Sequence, residues 1–239
     1  KLMSISKKIK QLSFIHEIKN HELLFTKDGV ELFLYLESKP VSSINGALGL
    51  QPNATSKRIG VAGELNLKLL NVFKRGELIN LSWRSIQAET QSLSGKLNYP
   101  FILQTPFGLD GQFQLYKRDS TFLELKSMVG VQYFLRGGNY LKVFYQNYSS
   151  NILYGGANNP DFTNLSTVRS NAYGLSLYRR QLDYIPNPSK GMGLLTEIAI
   201  GSRKSQLNDT IVPEKTTTYR ISMQLDIFLP LSSRNILHF

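Results

Sequence analysis

Along most of this chain, apolar residues return at every second position. From Thr216 to Leu231 the series Tyr219, Ile221, Met223, Leu225, Ile227 and Leu229 alternates with Arg220, Ser222, Gln224, Asp226 and Phe228. A period of two sends successive side chains to opposite faces, so the stretch reads as a strand with one apolar and one mainly polar face. The same pattern sets Ile59, Val61, Leu65, Leu67 and Leu69 against Glu64, Asn66 and Lys68, and Ile79, Leu81 and Trp83 against Asn80, Ser82 and Arg84. It returns with Leu123, Leu125, Val129, Val131 and Tyr133 against Glu124, Lys126, Gln132 and Arg136, and with Tyr173, Leu175 and Leu177 against Ser176, Tyr178 and Arg180. Turn-forming strings such as KRGE, TPFGLDG, RGGN, GGANNPDF and PNPSKG separate the runs. From Val41 onward the pattern predicts roughly ten strands and no helix.

The first 40 residues read differently. Ile5, Ile9, Leu12 and Ile15 fall near helical spacing, with Ser4 or Ser6 available as an N-cap. Two strand-like runs then flank Lys27-Asp28-Gly29, a hairpin signal. Helix, strand, hairpin, strand predicts a small α+β unit over residues 1–40, ahead of an all-β region over residues 41–239.

The apolar face can point at a protein core or at lipid. The alternating runs are long, the polar face mixes both charge signs with Asn, Gln, Ser and Tyr, and short connections alternate with long ones. These features predict an antiparallel transmembrane β-barrel with a wet lumen. Arg84, Glu124, Lys126, Arg136, Arg180 and Arg220 are then the lumen-facing candidates. A soluble all-β binding domain is the alternative.

Composition narrows the classes. The chain has 239 residues and a formal net charge of +11, but its one dense basic run is Ser6 to Lys10, which argues against nucleic acid as a partner. No apolar run approaches the roughly 20 residues of a spanning helix. With no cysteine there is neither a disulfide framework nor a thiolate metal site. Tyr and Phe, 25 together, crowd strand ends such as Tyr133 to Tyr148, as interfacial girdles and cross-strand pairs both do. The three histidines, His16, His21 and His238, lack partners at a catalytic or metal-ligand spacing, and the carboxylates are too sparse for an oxygen cage. The sequence therefore predicts no enzyme chemistry, no cofactor and no metal.

Three segments carry a resemblance: Gly63 to Trp83, Leu97 to Phe122, and Leu182 to Gly201, the last with Asp183, a Pro-x-Pro turn and Lys190-Gly191. Together they resemble the outer-membrane assembly-factor superfamily, the BamA, TamA and two-partner-secretion transporter group also called surface antigens. The resemblance implies that residues 1–40 are the end of a periplasmic POTRA module and residues 41–239 the first part of a barrel in the bacterial outer membrane. On that reading the chain is a fragment of a longer protein. The lumen-loop signature of the family, Arg-Gly followed by Phe or Tyr, is missing from it.

The resemblance also implies a function: assembly or translocation by strand templating at a barrel seam formed by Ser43, Ile44, Asn45, Gly46, Ala47, Leu48, Gly49 and Leu50. Gly46 and Gly49 would weaken such a strand, or simply relieve crowding. The implied partners are outer-membrane lipid, nascent outer-membrane or secreted proteins, and accessory lipoproteins. The competing expectation is a passive or gated pore, made anion-leaning by Arg84, Lys126, Arg136 and Arg180.

Overall fold

The computed structural model describes residues 9, 12, 14–27, 29–52, 59–87, 90–118, 122–152, 167–183, 187–206, 214–232 and 235–239. A two-stranded hairpin comes first, β1 (Ile15–Thr26) and β2 (Gly29–Ser38), paired antiparallel with irregular register between Glu17 and Glu22. The turn signal at Lys27-Asp28-Gly29 thus joins two strands. The helical stripe expected just upstream does not reach Ile15, which opens β1. His16, expected beside that stripe, lies on the strand with it, while Ser4, Ile5 and Ser6 are outside the described residues.

Eleven further strands form one antiparallel sheet in sequence order. They are β3 (Ser43–Pro52), β4 (Ile59–Leu70), β5 (Leu78–Gln87), β6 (Thr90–Tyr99), β7 (Phe107–Arg118) and β8 (Phe122–Phe134), followed by β9 (Tyr140–Ile152), β10 (Thr167–Leu182), β11 (Gly191–Gln206), β12 (Glu214–Pro230) and β13 (Ile236–His238). Two single-turn 3-10 segments, Ile102–Gln104 and Arg136–Gly138, sit in the β6–β7 and β8–β9 connections.

The sheet ends in two edges, β3 on one side and β13 on the other, which do not pair with each other. This corrects the closed transmembrane barrel expected from the alternation: the chain forms an open sheet. Alternation reports which side chains share a face; it does not report whether the first and last strands meet. The barrel seam, the pore lumen and the outer-membrane placement with a periplasmic residue 1–40 segment all rested on closure, and they are overturned with it.

Although open, the sheet is rolled. Alternate strands in a flat sheet stand nearly 10 Å apart, yet Asn98 of β6 donates to Gln132 of β8 at 2.8 Å, and Lys142 of β9 donates to Asp110 of β7 at 3.0 Å. Arg220 of β12 reaches Gln146 of β9 at 2.6 Å, spanning three inter-strand steps. Bonds over two and three strand steps, on a face whose central polar groups are nearly sealed, mark a concave surface. Register puts the polar set of every strand on this face: Lys142 lies opposite Gln132 and Ser176, and Ser176 opposite Glu197.

Burial is inverted relative to a water-soluble domain. The concave side chains of Gln132, Asp110, Lys142 and Ser176 are at most 5% exposed. On the convex face Ile221 is 77% exposed, Tyr219 76% and Leu175 62%. Soluble folds bury their apolar set and wet their polar one; the middle strands of this sheet do the reverse.

Glycine under aromatic rings helps the sheet curve. Phe144 lies directly opposite Gly174 on the concave face, and Phe113 opposite Gly95 on the convex face. At Gly174 an added Cβ would collide with the Phe144 ring and lie 2.8 Å from the Ile198 carbonyl oxygen. No larger residue fits there without displacing a ring or a strand.

Candidate functional site: a buried polar trough

The rolled sheet shapes its concave face into a trough lined from β5 to β12, with a volume of about 660 Å³ in its largest section. At its centre Lys142 Nζ is 3.0 Å from Asp110 Oδ2 and 3.8 Å from Glu197 Oε1. Lys142 and Asp110 are both nearly sealed from solvent, and ions so placed persist only with close partners. Asp110 Oδ1 and Ser176 Oγ are buried without a hydrogen-bond partner. In a trough of this polarity, such atoms are natural positions for an ordered water or a ligand donor.

Tyr140 stacks on Tyr178 with ring centroids 5.0 Å apart. Burial, helped by the nearby Asp110 charge, pushes the Tyr140 phenol up to about 12, so the ring carries a neutral hydroxyl donor. The Arg180 guanidinium stands 5.6 Å from the Tyr178 ring. Asn139 ties this end down: its side-chain oxygen accepts from the Arg180 backbone N–H at 2.7 Å, and its amide donates to the Arg136 carbonyl at 2.9 Å.

The six residues expected on the polar face fall in different places. Register sets Arg84 of β5, Glu124 and Lys126 of β8, Arg180 of β10 and Arg220 of β12 on the concave side. Lys126, Arg180 and Arg220 line the largest section of the trough, and Glu124 lines the adjoining one with Lys126 and Arg220. Arg84 lines neither section, and Arg136 lies in a 3-10 turn rather than on a strand.

Ser43 to Leu50 form most of β3, paired with β4 alone. Ile44, Leu48 and Leu50 are exposed apolar side chains on the convex face. Gly46 sits where an added Cβ would lie 2.8 Å from the Glu64 carbonyl, so close strand approach accounts for it; at Gly49 a Cβ would make only an ordinary contact, 3.9 Å from the Ala62 carbonyl oxygen. The edge strand is real, but an open sheet offers no barrel seam for it to template.

Sequence reasoning missed Asp110, Lys142, Glu197 and Arg203. Lys142 alternates with Leu141 and Val143 and was available to the same period-two reading. Asp110 was hidden inside TPFGLDG, which reads as a turn but supplies the first residues of β7.

Among the described residues no cluster of three or more His, Asp or Glu could hold a metal ion. No family model matches the chain. No curated protein matches it either. The resemblance to the surface-antigen group is corrected accordingly: its three segments are turn-and-strand wording without the closed barrel that group requires.

Proposed function

We propose that this protein is a non-catalytic, lipid-contacting sheet whose convex face is covered by lipid acyl chains while its concave trough stays polar and hydrated. The inverted burial carries this reading. Val129, Val143, Leu175, Ile198, Ile200 and Ile221 form a continuous apolar surface across five strands, each more than half exposed. Removing one such side chain from water contributes about 1.5–3 kcal/mol, and a patch of this breadth is far beyond the scattered apolar residues of an ordinary soluble surface.

Charge placement favours acyl chains over a protein partner. The convex-face charges of β7 to β12, Lys117, Arg169, Arg179, Lys204 and Lys215, lie toward strand ends and leave the middle of the face uncharged. Protein interfaces carry a polar rim with hydrogen bonds distributed through the contact; acyl chains offer none, and the middle of this face asks for none. The unpaired backbone groups of β3, and those of β12 that the short β13 leaves open, must remain wetted or take another strand, because hydrocarbon does not tolerate open edges.

Flotation with phosphatidylcholine vesicles tests the reading. The protein is expected to rise with the vesicles, and Val143→Lys with Ile221→Lys is expected to leave most of it in the dense fraction. Wild-type protein that stays in the dense fraction as a soluble monomer would contradict lipid contact.

A further inference from the structure

Between β9 and β12 the floor of the trough is made of small side chains. Ala172 of β10 lies opposite Gly201 of β11, and Gly174 opposite Ala199. Ala172 and Ala199 line a second section of the trough, about 450 Å³, within the size range of small-molecule sites. Lys126, Arg203 and Arg220 enter it from three different strands, and Glu124 is the one carboxylate among its described lining residues.

These cations differ from Lys142. That lysine is matched by Asp110 and Glu197, whereas no ion pair to a carboxylate within 4.0 Å involves Lys126, Arg203 or Arg220 among the described residues. Arg220 is nevertheless held in place, since its Nη2 donates to Gln146 Oε1 at 2.6 Å. Tyr148, Ser170 and Thr218 add neutral hydrogen-bonding groups around the same space. A positioned guanidinium beside an ammonium and a second guanidinium matches the charge and hydrogen-bonding pattern of an oxyanion, and like charges lining one concavity add their attraction for it.

We propose that this cavity binds a small organic anion through its phosphate or carboxylate group, with Arg220 and Lys126 as the principal contacts. Glu124, two residues before Lys126 on β8, gives the site a selective element, since it disfavours anions that extend past Lys126 toward its carboxylate.

Isothermal titration of the lipid- or detergent-held protein with inorganic phosphate, and separately with citrate, tests the site. Saturable binding of at least one probe is expected, with the preferred probe distinguishing phosphate from carboxylate recognition. Arg220→Gln and Lys126→Gln should each weaken it by about tenfold or more, the effect of one lost charge-assisted hydrogen bond. Lys68→Gln, on the concave side of β4 outside this cavity, should leave it unchanged. Circular dichroism would verify that each variant keeps its sheet. Absence of saturable binding for both probes would overturn the proposal. So would equal weakening by Lys68→Gln, which would show diffuse charge attraction rather than a site.

Discussion

Asp110→Ala is expected to destabilise the sheet by about 3–5 kcal/mol, the usual cost of stranding one member of a buried ion pair. The substitution leaves the Lys142 ammonium sealed in the trough with Glu197 as its remaining carboxylate, 3.8 Å away and itself partly solvated. Lys142 also sits 5.4 Å from the Phe144 ring, a contact too weak to replace a carboxylate. The double variant Asp110→Leu with Lys142→Met should recover most of the loss, because it removes both charges together. Denaturant unfolding followed by circular dichroism would measure both. Equal losses in the single and double variants would show that side-chain volume, not charge pairing, matters at this position.

Glu77→Ala carries the second large effect, about 3 kcal/mol. Glu77 is only 1% exposed and organises the loop between β4 and β5. Its two carboxylate oxygens accept from the backbone N–H groups of Phe73 and Arg75, the second at 3.0 Å. Asn71 completes the loop: its side-chain oxygen accepts from Gly76 N–H at 2.8 Å. Asn71, Lys74 and Gly76 all adopt positive φ there, so the chain reverses through conformations that need these bonds to hold them. Removing the carboxylate orphans two donors in a tight turn, and each charge-assisted bond is worth about 1.5–3 kcal/mol. Glu77→Gln keeps an acceptor for one donor and should lose roughly half as much. A Glu77→Ala variant as stable as wild type would mean that strand pairing alone fixes this loop.

The fold was legible where a local rule decides it. Period-two alternation sorted the two faces of β4, β5, β8, β10 and β12, because side-chain direction along a strand depends on nothing beyond the strand itself. Closure was not legible, since it depends on whether β3 and β13 meet, and no local pattern encodes that encounter. The string TPFGLDG misled for a physical reason. Its glycines look like turn residues, but Gly108 is a strand position where an added Cβ would lie 2.7 Å from the Phe134 ring and 2.9 Å from the Tyr99 carbonyl. Close packing, not chain reversal, requires glycine there, and Asp110 was lost with it. Ile15 failed differently: spacing fitted a helix, but pairing with Ser38 claimed it for β1.

The trough was half legible. Lys126 and Arg220 could be placed on one face from sequence, but their convergence depends on how tightly the sheet rolls. That curvature appears only in bonds such as Arg220 to Gln146.

Contact between the apolar convex face and acyl chains can be read directly from the chain's one tryptophan. Trp83 lies on the convex side of β5, in register with Leu65 and Leu93. Its fluorescence should be measured in vesicles of ordinary phosphatidylcholine and of phosphatidylcholine brominated along the acyl chains. Blue-shifted emission in both, with strong quenching by the brominated chains, is expected. Unquenched emission from vesicle-bound protein would place Trp83 away from lipid and overturn acyl-chain contact on the convex face.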